Sequence, residues 1–180
     1  SEVLLQRTRA ETVGDFFPGF TKRFPSWKAL AVASKAEIGK TLVPIGIWRR
    51  RAEVLFNLAR EVRSRGGRFP ASREELETLT GVGQYVASSI LLFVHGQPEP
   101  LLDSTMARVL ERYFGPRTLA DIRYDPYLQG LARKVLSCSE PANLNWAILD
   151  LGATICKINE PRCGNCPLSR GCRHAGNMGS

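Results

Sequence analysis

Apolar side chains recur every three to four residues along most of this chain, and no stretch of useful length alternates apolar with polar. Leu55, Leu58, Ala59 and Val62 form one such stripe. Met106, Val109, Leu110, Tyr113 and Phe114 form a second, Leu128, Leu131, Ala132, Val135 and Leu136 a third, and Leu144, Ile148, Leu151 and Ile155 a fourth. That spacing lines one face of a helix, whereas a half-buried strand needs a period of two. The chain is therefore expected to be all-α, with roughly nine or ten short helices. Breaks fall between the stripes, at Phe24–Pro25–Ser26, Gly66–Gly67, Phe69–Pro70–Ala71–Ser72, His95–Gly96, Gly115–Pro116 and Glu140–Pro141. Ser72 followed by Glu75 predicts a capping box, and Asp103 directly before the second stripe predicts an N-cap.

With 180 residues, 43% of them hydrophobic, the chain can bury a sizeable interior as one domain or two small ones sharing a core. Its longest apolar run, Ile90–Leu91–Leu92–Phe93–Val94, falls far short of the roughly 18 residues of a membrane span and predicts a buried helix segment. No signal peptide opens the sequence, so a reducing cell interior is expected. The chain begins inside what reads as a helix, so its natural N-terminus is expected to lie upstream. Ala175 to Ser180 read as a frayed or appended tail.

Charge is distributed unevenly. Residues 1–70 hold 14 Lys/Arg and 6 Asp/Glu, a net +8, whereas residues 71–180 hold 11 of each. The N-terminal part therefore carries the whole excess. It is either a solvated basic face or a footprint for a polyanion. Arginine outnumbers lysine 19 to 6, which suits bidentate phosphate contacts.

Four of the five cysteines, Cys156, Cys163, Cys166 and Cys172, fall in one tract spaced C-x6-C-x2-C-x5-C. Disulfides fit poorly with an odd total and a reducing interior. Zinc sites favour paired short knuckles, and only one short pair is present here. The longer arcs can wrap a larger iron–sulfur cubane, so a [4Fe–4S] cluster is favoured over zinc. With four thiolates on a 2+ cluster, the holo-protein would be nearer +6. Cys138 stands apart and is expected to be a buried structural thiol.

Between Leu76 and Ile90 the sequence predicts two helices joined by a Gly81–Val82–Gly83 turn, with the second helix opening near Gln84. Glycines permit close backbone approach and positive φ. Amides of the turn and the positive end of the next helix suit one phosphate. Twenty residues past Gly83 comes Asp103, which is either a plain helix N-cap or a functional carboxylate.

Taken together, Ser1 to Thr8, Leu79 to Tyr85, Leu102–Asp103 through Arg108–Val109, Asn145 to Gly152 and the cysteine tract resemble the helix-hairpin-helix DNA glycosylase superfamily over nearly the whole chain. Its nearest branches are endonuclease III, the MutY-type adenine glycosylases and the Mig-type thymine-mismatch glycosylases. The resemblance implies two helical subdomains. A six-helix barrel with the hairpin would span about 14–133, and residues 1–13 plus 134–174 would form the iron–sulfur subdomain, with 175–180 as a tail. It implies a monomer acting on double-stranded DNA that carries a mispaired or damaged base, inside a prokaryotic or archaeal cell near the nucleoid and away from any membrane.

By that resemblance Asp103 is the catalytic aspartate, and Glu2 matches a second acidic residue of the monofunctional members. Gln6 fills the gap left by a flipped base, with Arg7 beside it. Ile47 and Trp48, followed by Arg49, match a wedge loop, although Trp48 also fits a core aromatic. Gly81, Val82, Gly83, Gln84 and the Arg49–Arg50–Arg51 run would hold phosphates. Tyr85 stands where endonuclease III relatives carry a Schiff-base lysine, and a phenol forms no imine. The implied activity is therefore a monofunctional glycosylase, with thymine or uracil opposite guanine as substrate. Adenine opposite 8-oxoguanine or guanine is the alternative, and a non-catalytic DNA-binding iron–sulfur module is the rival of another class.

Overall fold

A computed structural model describes residues 2–178. Among them the regular structure is entirely helical: α1 (Glu2–Leu5), α2 (Ala10–Arg23), α3 (Trp27–Val32), α4 (Lys35–Leu42), α5 (Trp48–Ser64), α6 (Arg73–Glu77), α7 (Gln84–Phe93), α8 (Ser104–Phe114), α9 (Pro126–Leu136), α10 (Pro141–Thr154) and α11 (Arg173–Met178), with three short 3-10 turns. The chain divides into two compact units, Ser1–Ala87 and Ser88–Ser180. No helix of the described residues is long and apolar enough to cross a membrane.

In the first unit α5 is the central rail, packed on α3 and α4. Its predicted stripe, Leu55, Leu58, Ala59 and Val62, is buried throughout. Burial of each leucine there stabilises the unit by about 1.5–3 kcal/mol. Arg49, Arg50, Arg60 and Arg63 lie on the exposed side of the same helix. The Ser72 hydroxyl accepts the predicted cap bond from Glu75 N. A capping box closed in both directions is found at Ser34 and Glu37, a pair the sequence reading passed over.

The second unit is built on Met106, Ala107, Val109, Leu110, Leu128, Ala132, Leu136 and Ile148. Helices α8 and α10 cross closely at Gly152, where a Cβ would collide with the Thr105 side chain. Arg108 completes the C-terminal end of α10, donating to the Gly152 and Cys156 carbonyls, both at 2.9 Å. The fully buried Asn145 accepts from Leu101 N and donates to the Glu99 and Pro141 carbonyls. It thereby fixes the strand of loop that leads into α8.

Three expectations are corrected. Cys138 is exposed, because it lies two residues past the last residue of α9, beyond the apolar stripe that would have buried it. The apolar run splits: Ile90, Leu91 and Leu92 are buried, whereas Phe93 and Val94 are exposed where α7 ends. The tail is helical as far as Met178, and only Gly179 and Ser180 lie outside the described residues.

Asp125 is fully buried at the N-cap of α9. Burial opposes its charge. Amide bonds from Leu119, Leu128 and Thr118, with the Thr118 hydroxyl, outweigh that and hold the carboxyl at about 2, below its usual 3.8. A depressed carboxyl contributes stability above its unfolded value, and that contribution disappears as pH falls through its folded value. Denaturation midpoints should therefore drop between about pH 4 and pH 2. The drop should be smaller in Asp125→Asn, and identical pH profiles for the two proteins would remove this residue from the acid transition.

Candidate nucleic-acid interface and cysteine cavity

The hairpin turn is anchored from below by α5. Gly81 has φ +77°, and a Cβ there would collide with Val54 of α5, so both conformation and space demand glycine. Glu61, one turn before the end of α5, accepts from Thr80 N at 2.8 Å and from the Thr80 hydroxyl at 2.6 Å. Val82 is buried, while Gly81 and Gly83 are exposed. Gly83 has no positive φ, and a Cβ on it would meet only open space. The Gly83 carbonyl accepts from Ala87 N and starts α7, on whose first turn Gln84 and Tyr85 are half-buried.

A second feature of the same unit is an open cavity of about 440 Å³ lined by Val3, Gln6, Arg7, Ile47, Arg50, Arg51 and Val54. Gln6, Arg7, Ile47 and Arg50 are exposed. Arg7 and Ile47 have φ +59° and +49°. A left-handed conformation costs about 1–2 kcal/mol for an ordinary residue, and a β-branched side chain such as Ile47 is an outlier there. Strain of this kind gathers where a chain contacts a ligand. Trp48 turns away: its ring lies 3.2 Å from the point where Gly39 of α4 would carry a Cβ, and Arg49 stacks on it at 4.4 Å. Glu2, half-buried, begins α1.

Arg51 departs from its predicted place in a phosphate-binding run. It is 4% exposed and points inward. Its Nη1 donates to the carbonyls of Ile45 (2.8 Å) and Gly46 (2.7 Å), and its Nη2 to the Gln6 carbonyl and the Thr8 hydroxyl, both at 2.5 Å. Burial lowers the pKa of its guanidinium.

In the second unit Asp103 is the N-cap of α8, as its position predicted. Both cap bonds, from Thr105 N (2.9 Å) and Met106 N (2.8 Å), go to one oxygen, Oδ1. The residue is half-buried. Helix geometry therefore fixes the carboxylate through one oxygen and leaves the other outside the cap, so capping and chemistry are compatible roles for one side chain.

Cys156, Cys163, Cys166 and Cys172 all line one small cavity of about 20 Å³, together with Arg112, Ile155, Pro161, Ser169, His174 and Ala175. Arg112 reaches the tract from α8. Its Nη1 donates to Cys156 Sγ (3.4 Å) and to the Lys157 carbonyl (2.5 Å), its Nη2 to the Ile158 carbonyl, and its own carbonyl accepts from Cys172 Sγ (3.4 Å). Among the described residues no group of three or more His, Cys, Asp or Glu is placed to hold a single metal ion.

Comparison with known proteins places these features in context. The family model described as "HhH-GPD superfamily base excision DNA repair protein" matches residues 1–125. The thymine-DNA glycosylase of Aeropyrum pernix is 39% identical over 179 residues, 97% of this chain and 80% of that protein. The thymine/uracil-DNA glycosylase of Pyrobaculum aerophilum is 37% identical, covering 93% of this chain and 74% of its own length. The human adenine DNA glycosylase is 33% identical across 96% of this chain but only 32% of itself. The solved structure of a thermostable thymine-DNA glycosylase superposes with a TM-score of 0.92 at 30% identity, over 98% of this chain and 82% of that one.

Proposed function

Because this chain belongs to the HhH-GPD superfamily of base excision DNA repair proteins, we propose that it is a monofunctional DNA glycosylase that removes thymine or uracil mispaired with guanine. The observation that carries the reading is Asp103, a half-buried carboxylate locked by α8 through a single oxygen. The preference for thymine or uracil rests on the relatives of that specificity, which match at 39% and 37% identity along most of their length.

The target base is inaccessible inside a duplex and must be extruded, at a cost of a few kcal/mol that is least for a mispair. The Gly81–Val82–Gly83 turn and the amides opening α7 at Gln84 grip a backbone phosphate. Gln6, Arg7 and Ile47 occupy the space the base has left, with Trp48 and Arg49 bracing the wedge from behind. Breaking the bond between C1′ and the base nitrogen sends the electron pair to the base and leaves positive charge on the sugar. Asp103 stabilises that cation and accepts a proton from the water whose oxygen bonds C1′. Glu2 supplies the hydrogen bond or proton that the departing base needs. Tyr85 cannot add to C1′ as an amine would, so the product is an intact abasic strand.

The tract also has the donor set for a cluster. Four thiols line one cavity without converging on a point. Zinc draws four sulfurs to about 2.3 Å from one ion, whereas a [4Fe–4S] cubane takes each thiolate at a separate corner. Cys156, Cys163, Cys166 and Cys172 would hold it, and its contribution when bound is to cross-link a tract that has little core of its own.

A panel of duplexes with T or U opposite G, and A opposite G or 8-oxoguanine, tests the reading. Release of thymine and uracil is expected, with strands breaking only after alkali. Preferential release of adenine would overturn the specificity, and alkali-independent nicking with borohydride trapping would overturn the monofunctional assignment.

A further inference from the structure

We propose that Arg51 is a positioning residue, a buried clamp that holds the Gln6–Thr8 and Ile45–Ile47 loops in the strained shapes in which they engage DNA. The inference rests on the reading that the Gln6, Arg7 and Ile47 cavity faces DNA. Arg51 shares its residue type with its exposed neighbours Arg49 and Arg50, yet its environment is opposite to theirs.

The bonding pattern argues for a clamp. A buried cation is costly unless fully satisfied, and all four acceptors here are neutral oxygens that do not cancel its charge. A purely structural site of this size is more cheaply filled by an apolar side chain. What the guanidinium adds is reach in two directions at once. Nη2 binds the residues on either side of Arg7, namely the Gln6 carbonyl and the Thr8 hydroxyl. Nη1 binds the Ile45 and Gly46 carbonyls directly before Ile47, and Arg51's own amide donates to the Ile47 carbonyl at 3.2 Å. Three non-glycine residues have positive φ among the described residues, Arg7, Ile47 and Glu160, and Arg51 brackets two of them. Both line the cavity that Arg51 also lines. A planar fork of five donors serves these acceptors in fixed directions, which the point charge of lysine cannot do.

The test compares Arg51→Lys, Arg51→Met and the exposed neighbour Arg50→Met with wild type in the full chain. A guanine–thymine duplex carries 2-aminopurine beside the thymine, so extrusion is read as fluorescence. Salt-dependent affinity for matched duplex, single-turnover excision at saturating protein, and thermal melting are measured in parallel. Arg51→Met should lose the fluorescence rise and slow excision about 100-fold, as a misplaced contact does, while its salt slope on matched DNA stays at the wild-type value. Arg51→Lys should recover melting and leave extrusion impaired. Arg50→Met should lower the salt slope by about one. If Arg51→Met lowers the salt slope as Arg50→Met does, Arg51 is a phosphate contact and the clamp is wrong. If Arg51→Lys restores melting and extrusion together, the role is only structural and the proposal fails. If wild type itself shows neither extrusion nor excision, the DNA reading fails, and the clamp with it; a wild type that extrudes beside an equally competent Arg51→Met overturns the clamp alone.

Discussion

Asp103→Asn should slow excision about a thousandfold and leave the fold and the affinity for DNA nearly unchanged. The expectation follows from the helix cap that this side chain forms and from the catalytic role proposed for it. Asparagine caps helices as well as aspartate does, and its carbonyl oxygen can accept the same two bonds that Oδ1 takes from Thr105 N and Met106 N. What it lacks is the negative charge. A carboxylate about 4 Å from the cationic sugar, at an effective dielectric near 20, is worth about 4 kcal/mol. That is about three orders of magnitude in rate. Single-turnover excision from a guanine–thymine duplex reads the loss, and binding to a duplex with guanine opposite an abasic site reads what remains. Asp103→Ala separates the roles: it should lose the same rate and also about 1 kcal/mol of stability, because the cap goes too. An Asp103→Asn enzyme within tenfold of wild type would mean that the helix cap is this residue's whole purpose.

The cap at Asp103 was legible from its position before an apolar stripe, whereas the catalytic role proposed for it rests on resemblance. The helices were legible because burial follows the 3.6 period almost residue by residue along α5 and α8. Gly81 was legible because glycine has few reasons to recur in a turn other than φ and space, and both apply. Arg51 was not legible as a buried group, since three arginines in a row look like one basic face. Successive helix residues nevertheless point about 100° apart. The signal that could have found it is its register: stepping back four residues from Leu55 along the buried stripe lands on Arg51. Asn145 and Glu61 were missed for another reason. Each anchors a loop distant in sequence, Glu99–Leu101 in one case and Thr80 in the other, and no local pattern records such a partner. Cys138 and Phe93 erred through trusting residue type over position, as both lie where a helix stops and its buried face ends.

Cys163→Ser should produce a protein that binds little iron and sulfide, with a C-terminal tract open to protease, while the helices of the first unit persist. Between Cys156 and Cys172 the regular structure is two 3-10 turns of three residues each. Ile158 and Leu168, the large apolar side chains within it, are 71% and 44% exposed. A segment so short and so open buries too little surface to offset the entropy of ordering it. On the proposed cluster reading, its order comes from what the thiols bind together, as in small metal-stabilised domains where metal affinity is folding free energy. Two arginines of α8 reach into the tract: Arg108 meets it at Cys156, and Arg112 meets it at Cys156, Lys157, Ile158 and Cys172, so both hold it near its ends. The interior of the loop, where Cys163 lies, is where loss of one thiolate should be felt most. Iron and sulfide analysis, visible absorption and limited proteolysis of wild type and Cys163→Ser read the effect directly. Wild-type protein that is colourless, carries zinc and resists protease would show that a single ion organises the tract, and a Cys163→Ser tract as resistant as wild type would show that no bound group organises it.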